Sequence, residues 1–312
     1  MADRLFAPGR LASTYSIVAR DADTGQLGVA VQSHWFSVGS VVCWAEAGVG
    51  AVATQSVVEP SYGPIGLAAM RSGQRPQDAL KNALLADEGR ELRQVAMVDT
   101  MGGVAAHTGG RCIAAAGHHT GEGFSVQANM MVSPEVWPAM AQAYRAAHGD
   151  LAERLLAALD AAEAAGGDLR GKQSAAMIIV ASKPAANSWE GTLVDLRVED
   201  HDEPLRELRR LVVLQRAYTH MNHGDDFLGA GQVEEALGEY RTAAGMAPQI
   251  AELPFWHAVT LADLGQVQEA IPIFEDVFRR DPNLAVLVQR LPGAGLLRDD
   301  EEMMAAILSA SR

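Results

Sequence analysis

Cysteine is almost absent: the chain of 312 residues has two, Cys43 and Cys112. They lie far apart and form no CxxC pair, which argues against a disulfide-stapled scaffold or a zinc ribbon. The reading is two free thiols in a reducing compartment. Basic residues are also short, 25 against 39 acidic ones, for a formal charge of -14. Without a basic stripe to displace counterions, nucleic acid is excluded as a partner, and so is an anionic membrane surface. No apolar run approaches the ~18 residues of a transmembrane helix. The opening MADRLFAPGRLAS lacks the apolar stretch of a secretory signal. These absences together predict a cytoplasmic protein. What is plentiful is core material, with 48% hydrophobic and 21% charged residues.

The segment STYSIVARDADTGQLGVAVQS, Ser13 to Ser33, reads as a hairpin: two β-branched or small apolar arms around the Asp/Gly turn Asp21–Gly25. Ser40–Trp44 and Gly50–Gln55 read as further strands, and Gly66–Arg71 and Pro76–Ala86 as helices. Strand-like segments then start at Arg93, Gly103, Cys112 and Phe124. Ser133 and Asp150 are expected to cap two helices, the second stopped by Gly166, and strands from Ser174 and Thr192 follow. Strands and helices come in clusters rather than in βαβ alternation. The expected class is therefore α+β, two antiparallel sheets with helix pairs outside them in four layers, αββα.

The tail repeats. GQVEEAL at Gly231 returns as GQVQEAI at Gly265, an offset of 34 residues, with Tyr240 matched by Phe274 and Pro248 by Pro282. That period is the tetratricopeptide signature. The expected organisation is an extension over 1–13, an α+β domain over 14–200, a helical linker over 201–217 and helical repeats over 218–312. Two repeats bury little core by themselves, so the tail is expected to lean on the first domain or on another subunit, and to offer a surface to a protein partner.

Several motifs fail a chemical test. AGVGAVA, from Ala47, fits GxGxxA, but Pro60 interrupts where a dinucleotide fingerprint needs its helix. His118 and His119 are adjacent, so on a strand they face opposite ways and do not share a metal ion. No metal and no cofactor is expected. Ser33 and His34 lack a GxSxG elbow; they are retained as substrate-binding candidates rather than as a dyad. In GGDLRGKQSAA, glycines stand beside Asp168, Arg170, Gln173 and Ser174. The loop is either a plain helix-to-strand connector or a presenter of amides and polar side chains to a ligand. VQANMM places Gln127 and Asn129 on one strand face. Those amides either satisfy a sheet rim or donate to an oxyanion. Thr14 heads the hairpin. A threonine hydroxyl needs a base, and the α-amine of an N-terminal threonine, with a pKa of about 7.7–8.0, is one.

TYSIVARDADTGQLGVAV, WAEAGVGAVATQ, GLAAMRSG, VQAN, GGDLRGKQSAA and VDLRVEDHDEPLRELRRL, in that order, resemble the family called domain of unknown function 1028, from Thr14 to Leu211. The resemblance implies an Ntn-hydrolase-like αββα fold. Members of that superfamily cut amide bonds with an N-terminal Thr, Ser or Cys. It implies Thr14 as nucleophile; the expected site adds Asn129 at the oxyanion, Asp168 and Gln173 orienting amine or substrate, and Ser33, His34, Gln127 and Arg170 lining a small amide or peptide. Here residues 1–13 stand before Thr14. Either they are cut away autocatalytically, or the start lies later, or the domain has kept the fold and lost the chemistry. In the last case it is a platform for the repeats.

Overall fold

In the computed structural model, which describes residues 10–12, 14–187 and 189–310, the Asp21–Gly25 turn follows from its side chains. Asp21 Oδ1 accepts hydrogen bonds from the amides of Asp23 and Thr24, and Gly25 takes φ +71°. The turn joins strands β2 (Thr14–Arg20) and β3 (Leu27–Ser33), which pair antiparallel from Thr14↔Ser33 to Arg20↔Leu27. These two strands form the centre of a six-stranded sheet. Its order is β11-β10-β3-β2-β9-β8, with β8 Gly117–Gly121, β9 Phe124–Asn129, β10 Ser174–Val180 and β11 Thr192–Val198.

The other sheet has five strands: β1 (Arg10–Ala12), β5 (Gly50–Val58), β6 (Arg93–Asp99) and β7 (Val104–Thr108) in that order, with β4 (Cys43–Glu46) also on β5. Every pairing is antiparallel. The sheets pack face to face over Val18, Val29, Val31, Ala51, Ala53 and Ala96. Helices α2 (Tyr62–Arg71) and α3 (Pro76–Ala86) cover the outer face of the five-stranded sheet. Helices α4 (Val136–Ala146) and α5 (Leu151–Ala164) lie on the other sheet. Gly28 permits that contact, since a Cβ there would stand 2.9 Å from Leu155 Cδ1. With helices outside and a second sheet inside, β2, β3 and β10 are buried on both faces and carry apolar runs instead of alternation.

Three local expectations change. Residues 39–42 form the one-turn helix α1 (Gly39–Val42) before β4, so the strand expected from Ser40 starts at Cys43. Val38 N donates to Ser174 Oγ, and the amides of Val41 and Val42 turn back to the Val38 carbonyl, which closes the helical turn. The segment at Cys112 is irregular, and the strand forms at Gly117 instead. Ile113 and Ala115 give their carbonyls to the amides of Met130 and Met131, outside any ladder. Ser133 accepts from the Glu135 amide but does not cap α4, which starts at Val136. Asp150 does cap α5, accepting from Glu153 N.

The chain divides between Arg210 and Leu211, inside helix α6 (Pro204–Gly229). The second unit is all helical, with α7 Val233–Met246, α8 Glu252–Asp263, α9 Val267–Arg280, α10 Asn283–Val288, α11 Leu291–Ala294 and α12 Glu301–Ser309. The repeated positions share their burial: Ala236, Ala270, Tyr240 and Phe274 all lie in the interior. Helices α6 and α8 end in the same turn. Gly231 and Gly265 take φ +76° and +87°, and the amides of Gln232 and Gln266 reach back to Phe227 O and Leu261 O, each at 2.8 Å. Among the described residues no helix is long and apolar enough to cross a membrane.

Candidate active site

At one end of the six-stranded sheet, register aligns four polar residues side by side: Asn129 on β9, Thr14 on β2, Ser33 on β3 and Ser174 on β10. All four are fully buried. Thr14 Oγ1 donates to Ser33 Oγ at 3.2 Å. The Thr14 carbonyl accepts from Gln55 Nε2 at 3.2 Å and Asn129 Nδ2 at 3.4 Å. Ser174 Oγ donates to Trp35 O and accepts from Val38 N, which fixes the loop after Ser33.

Beneath this row an amide network joins the two sheets. Gln55 Nε2 donates to Gln94 Oε1 at 2.7 Å, and Asn129 Nδ2 donates to the same oxygen at 3.0 Å. Gln94 Nε2 donates to Ala128 O, Gly117 O and Thr108 Oγ1. Because two carbonyls must receive N–H, the orientation of the Gln94 amide is fixed, and those of Gln55 and Asn129 follow from it. Gln127 lies one step deeper. Its Nε2 donates to Ser16 Oγ and its Oε1 accepts from Ser125, so its amide belongs to the network rather than to an open site. Gln55 and Gln94 are the residues that sequence reasoning missed. Their signal is a lone amide inside an apolar strand, in VATQS and RQVAMV.

The glycine loop comes up beside the row. Asp168, nearly buried, accepts from His34 N at 3.2 Å and from Arg170 N at 2.9 Å, and pairs with the Arg170 guanidinium at 2.9 Å. Asp168 also bridges Met131, just past Asn129. It thus joins the loops after β3 and β9. Gly171 turns at φ +101°, where a Cβ would stand 3.8 Å from His34 Nδ1, a buried atom without a hydrogen-bond partner among the described residues. Gln173 donates its backbone amide to Ser33 O at 3.1 Å, while its side chain turns away to Asp200. The structure thus gathers Thr14, Asn129, Ser33, His34, Asp168 and Arg170 at one end. It puts Gln127 below them and leaves only the backbone of Gln173 there.

The amides of Asn129 are engaged inward, holding Gln94 and the Thr14 carbonyl. Ser37, Ser56 and Met130 adopt positive φ of 55°, 74° and 58°, costly for side-chain-bearing residues. All three border this end: Ser37 follows the Ser33 loop, Ser56 follows Gln55, and Met130 follows Asn129. Thr14 does not begin the chain, and its nitrogen is a peptide nitrogen. Strand β1 pairs with β5 in the five-stranded sheet, Ala12 opposite Ser56, while Thr14 begins β2 of the six-stranded sheet. Cavities of about 710 and 630 Å³ lie at the opposite end, near Gly103 and Val180. Among the described residues, no three His, Cys, Asp or Glu side chains group to hold a metal ion.

Residues 14–208 match a family of unknown function, DUF1028. The chain belongs to the DUF1028 family. A crystal structure of protein SPO2555 from Silicibacter pomeroyi, described by the same family, is similar at TM-score 0.58 and 34% identity, over 64% of this chain and 84% of that one. No curated protein matches the chain. The DUF1028 match opens on Thr14, the residue that heads β2, and closes within α6, leaving the helical unit outside it.

Proposed function

We propose that this DUF1028 protein is the uncut form of an Ntn-type amidohydrolase, with Thr14 as nucleophile and a small amide or short peptide as substrate. The observation that carries the reading is that the family region begins at Thr14, buried in a polar row at the head of the central strand. Two antiparallel sheets with helices outside them accord with the Ntn-hydrolase-like sandwich.

Activation would proceed in two steps. Thr14 Oγ attacks the Ser13 carbonyl, and the C–N bond breaks as the Thr14 nitrogen takes the hydroxyl proton, leaving an ester. Water then hydrolyses the ester, giving a Ser13 carboxylate and a Thr14 with both hydroxyl and free amine. The amine next serves as base when the hydroxyl attacks a substrate carbonyl. In this scheme Asn129 and Gln55 position Thr14 by its own carbonyl, and backbone amides stabilise the oxyanion. Asp168 shapes the Ser33–His34 and Arg170 loops around the substrate, and the Gln173 backbone steadies Ser33.

Intact mass and N-terminal sequencing of the purified protein test the reading. A chain starting at Thr14, retained at Met1 or Ala2 by Thr14→Ala, is expected. A wild-type chain that stays uncut would overturn it. The helical unit supports a second reading, in which an inert domain carries a peptide-binding module. The identical glycine turns and buried Ala and aromatic positions 34 residues apart accord with tetratricopeptide-like repeats.

A further inference from the structure

One side of the five-stranded sheet holds a cavity of about 580 Å³ between α3 and the strands β7 and β8. Its apolar wall is Leu80, Leu84, Leu85 and Ala105. Its charged and titratable residues are Lys81, Arg90, His107 and His118. Among the described residues no carboxylate lines it, in a chain whose acidic residues outnumber its basic ones 39 to 25. A strongly acidic protein that keeps carboxylates away from one half-apolar cavity offers a place where an anion meets attraction and a hydrocarbon tail finds cover.

The cavity is also connected to Thr14. His118 Nδ1 lies 2.8 Å from Thr108 Oγ1, and Thr108 Oγ1 accepts from Gln94 Nε2 at 2.9 Å. A Thr108 hydroxyl that donates to His118 Nδ1 would leave the imidazole proton on Nε2. Partial burial, and then the neighbouring imidazoles of His107 and His119, hold the His118 pKa below the ordinary value, which favours the neutral ring. His107 Nε2 is engaged by Arg90 O at 2.9 Å. From Thr108 the path continues through Gln94 to Asn129 and the Thr14 carbonyl.

We propose that this cavity binds a small amphipathic carboxylate, held by Lys81 and the His118 Nε2–H with its tail against Leu80 and Leu84, and that occupancy is relayed through Thr108 and Gln94 to Asn129. A carboxylate is also what amide hydrolysis releases. If the proposed function is right, the site senses product; the binding itself does not depend on that reading.

Calorimetric titration of the full-length protein with 4-phenylbutyrate, and with its neutral primary amide, tests the site without any catalysis. Saturable binding of the acid is expected, weakened about tenfold by Lys81→Gln, in line with the loss of one charge-assisted hydrogen bond. Lys81 is exposed, so the variant keeps its core. Equal binding of the amide, no effect of Lys81→Gln, or no saturation by about 10 mM, the weak limit for such a site, would overturn the site. The relay has its own readout, the side-chain amide resonance of Asn129. It should move with 4-phenylbutyrate in the wild type and stay still in Thr108→Val at saturating ligand. Equal movement in both, or none in either, refutes the relay.

Discussion

Replacing Gln94 with Leu is the sharpest test of the buried amide network. The side chain is fully buried, accepts from Gln55 and Asn129, and donates to Ala128 O, Gly117 O and Thr108 Oγ1. Leucine is apolar and one heavy atom smaller, and it offers none of these partners. Gln55 Nε2 still has the Thr14 and Gln127 carbonyls within reach. Asn129 Nδ2 keeps one acceptor, and the carbonyls of Ala128 and Gly117 lose this donor. Counting two groups left unsatisfied, at about 1–3 kcal/mol each, gives a loss of about 2–6 kcal/mol. That is a large part of the ~5–15 kcal/mol a domain possesses. Urea unfolding followed by far-ultraviolet circular dichroism measures it. Gln94→Glu supplies the control: its acid form replaces one N–H, while its anion faces two carbonyls. Burial raises the folded pKa of that acid, so stability should decline as pH rises from about 4.3 toward the raised value. A cost below about 1 kcal/mol for Gln94→Leu, or a flat pH profile for Gln94→Glu, would mean that the amides are not organised as described.

Two further outcomes follow from geometry elsewhere. Burial opposes ionisation of Asp87, but hydrogen bonds from Arg93, Gly89 and Tyr62 outweigh it and hold the carboxyl below its ordinary range. Its stabilisation is present above the unfolded value of about 3.9 and is lost as pH falls through the lower folded value. Asp87→Asn should therefore flatten the acid limb of stability against pH below about 4, and an unchanged limb would contradict the assignment. In the helical unit, Gly265→Ala forces a Cβ into a left-handed turn at φ +87° and should cost about 1–2 kcal/mol, read as a lower thermal midpoint. An unchanged midpoint would show that the turn does not hold α8 and α9.

Local chemistry was legible wherever the residues that decide it are neighbours in sequence. Asp21, Thr24 and Gly25 specify their turn among themselves, Asp150 caps the helix that follows it, and Gly231 and Gly265 announce their turns by repetition. The errors lie where a distant partner decides. Residues 39–42 turn helical beside a loop held by Ser174, more than 130 positions away, as Val38 N meets Ser174 Oγ. Ala114 and its neighbours look like a strand by composition, yet the segment is held by single bonds to the chain after β9. The site divides the same way. Asp168, Arg170 and Gly171 draw attention as one loop, and Thr14 as the head of a hairpin. Gln55 and Gln94 carry only the local mark of a lone amide in an apolar strand, and each takes its meaning from the facing sheet.

The division of β1 and β2 between the two sheets has a kinetic consequence. Each strand is hydrogen-bonded to its own sheet, β1 to β5 and β2 to β3 and β9, so a cut before Thr14 leaves the pairings described for both strands in place. It removes only the tether. While joined, β1 meets β5 at an effective concentration in the millimolar range; once cut, it competes as a free peptide. Three residues of pairing on a sheet edge are too few to persist on those terms. A cut there would act as a ratchet: the strand departs, the edge of β5 opens, and dilution prevents its return.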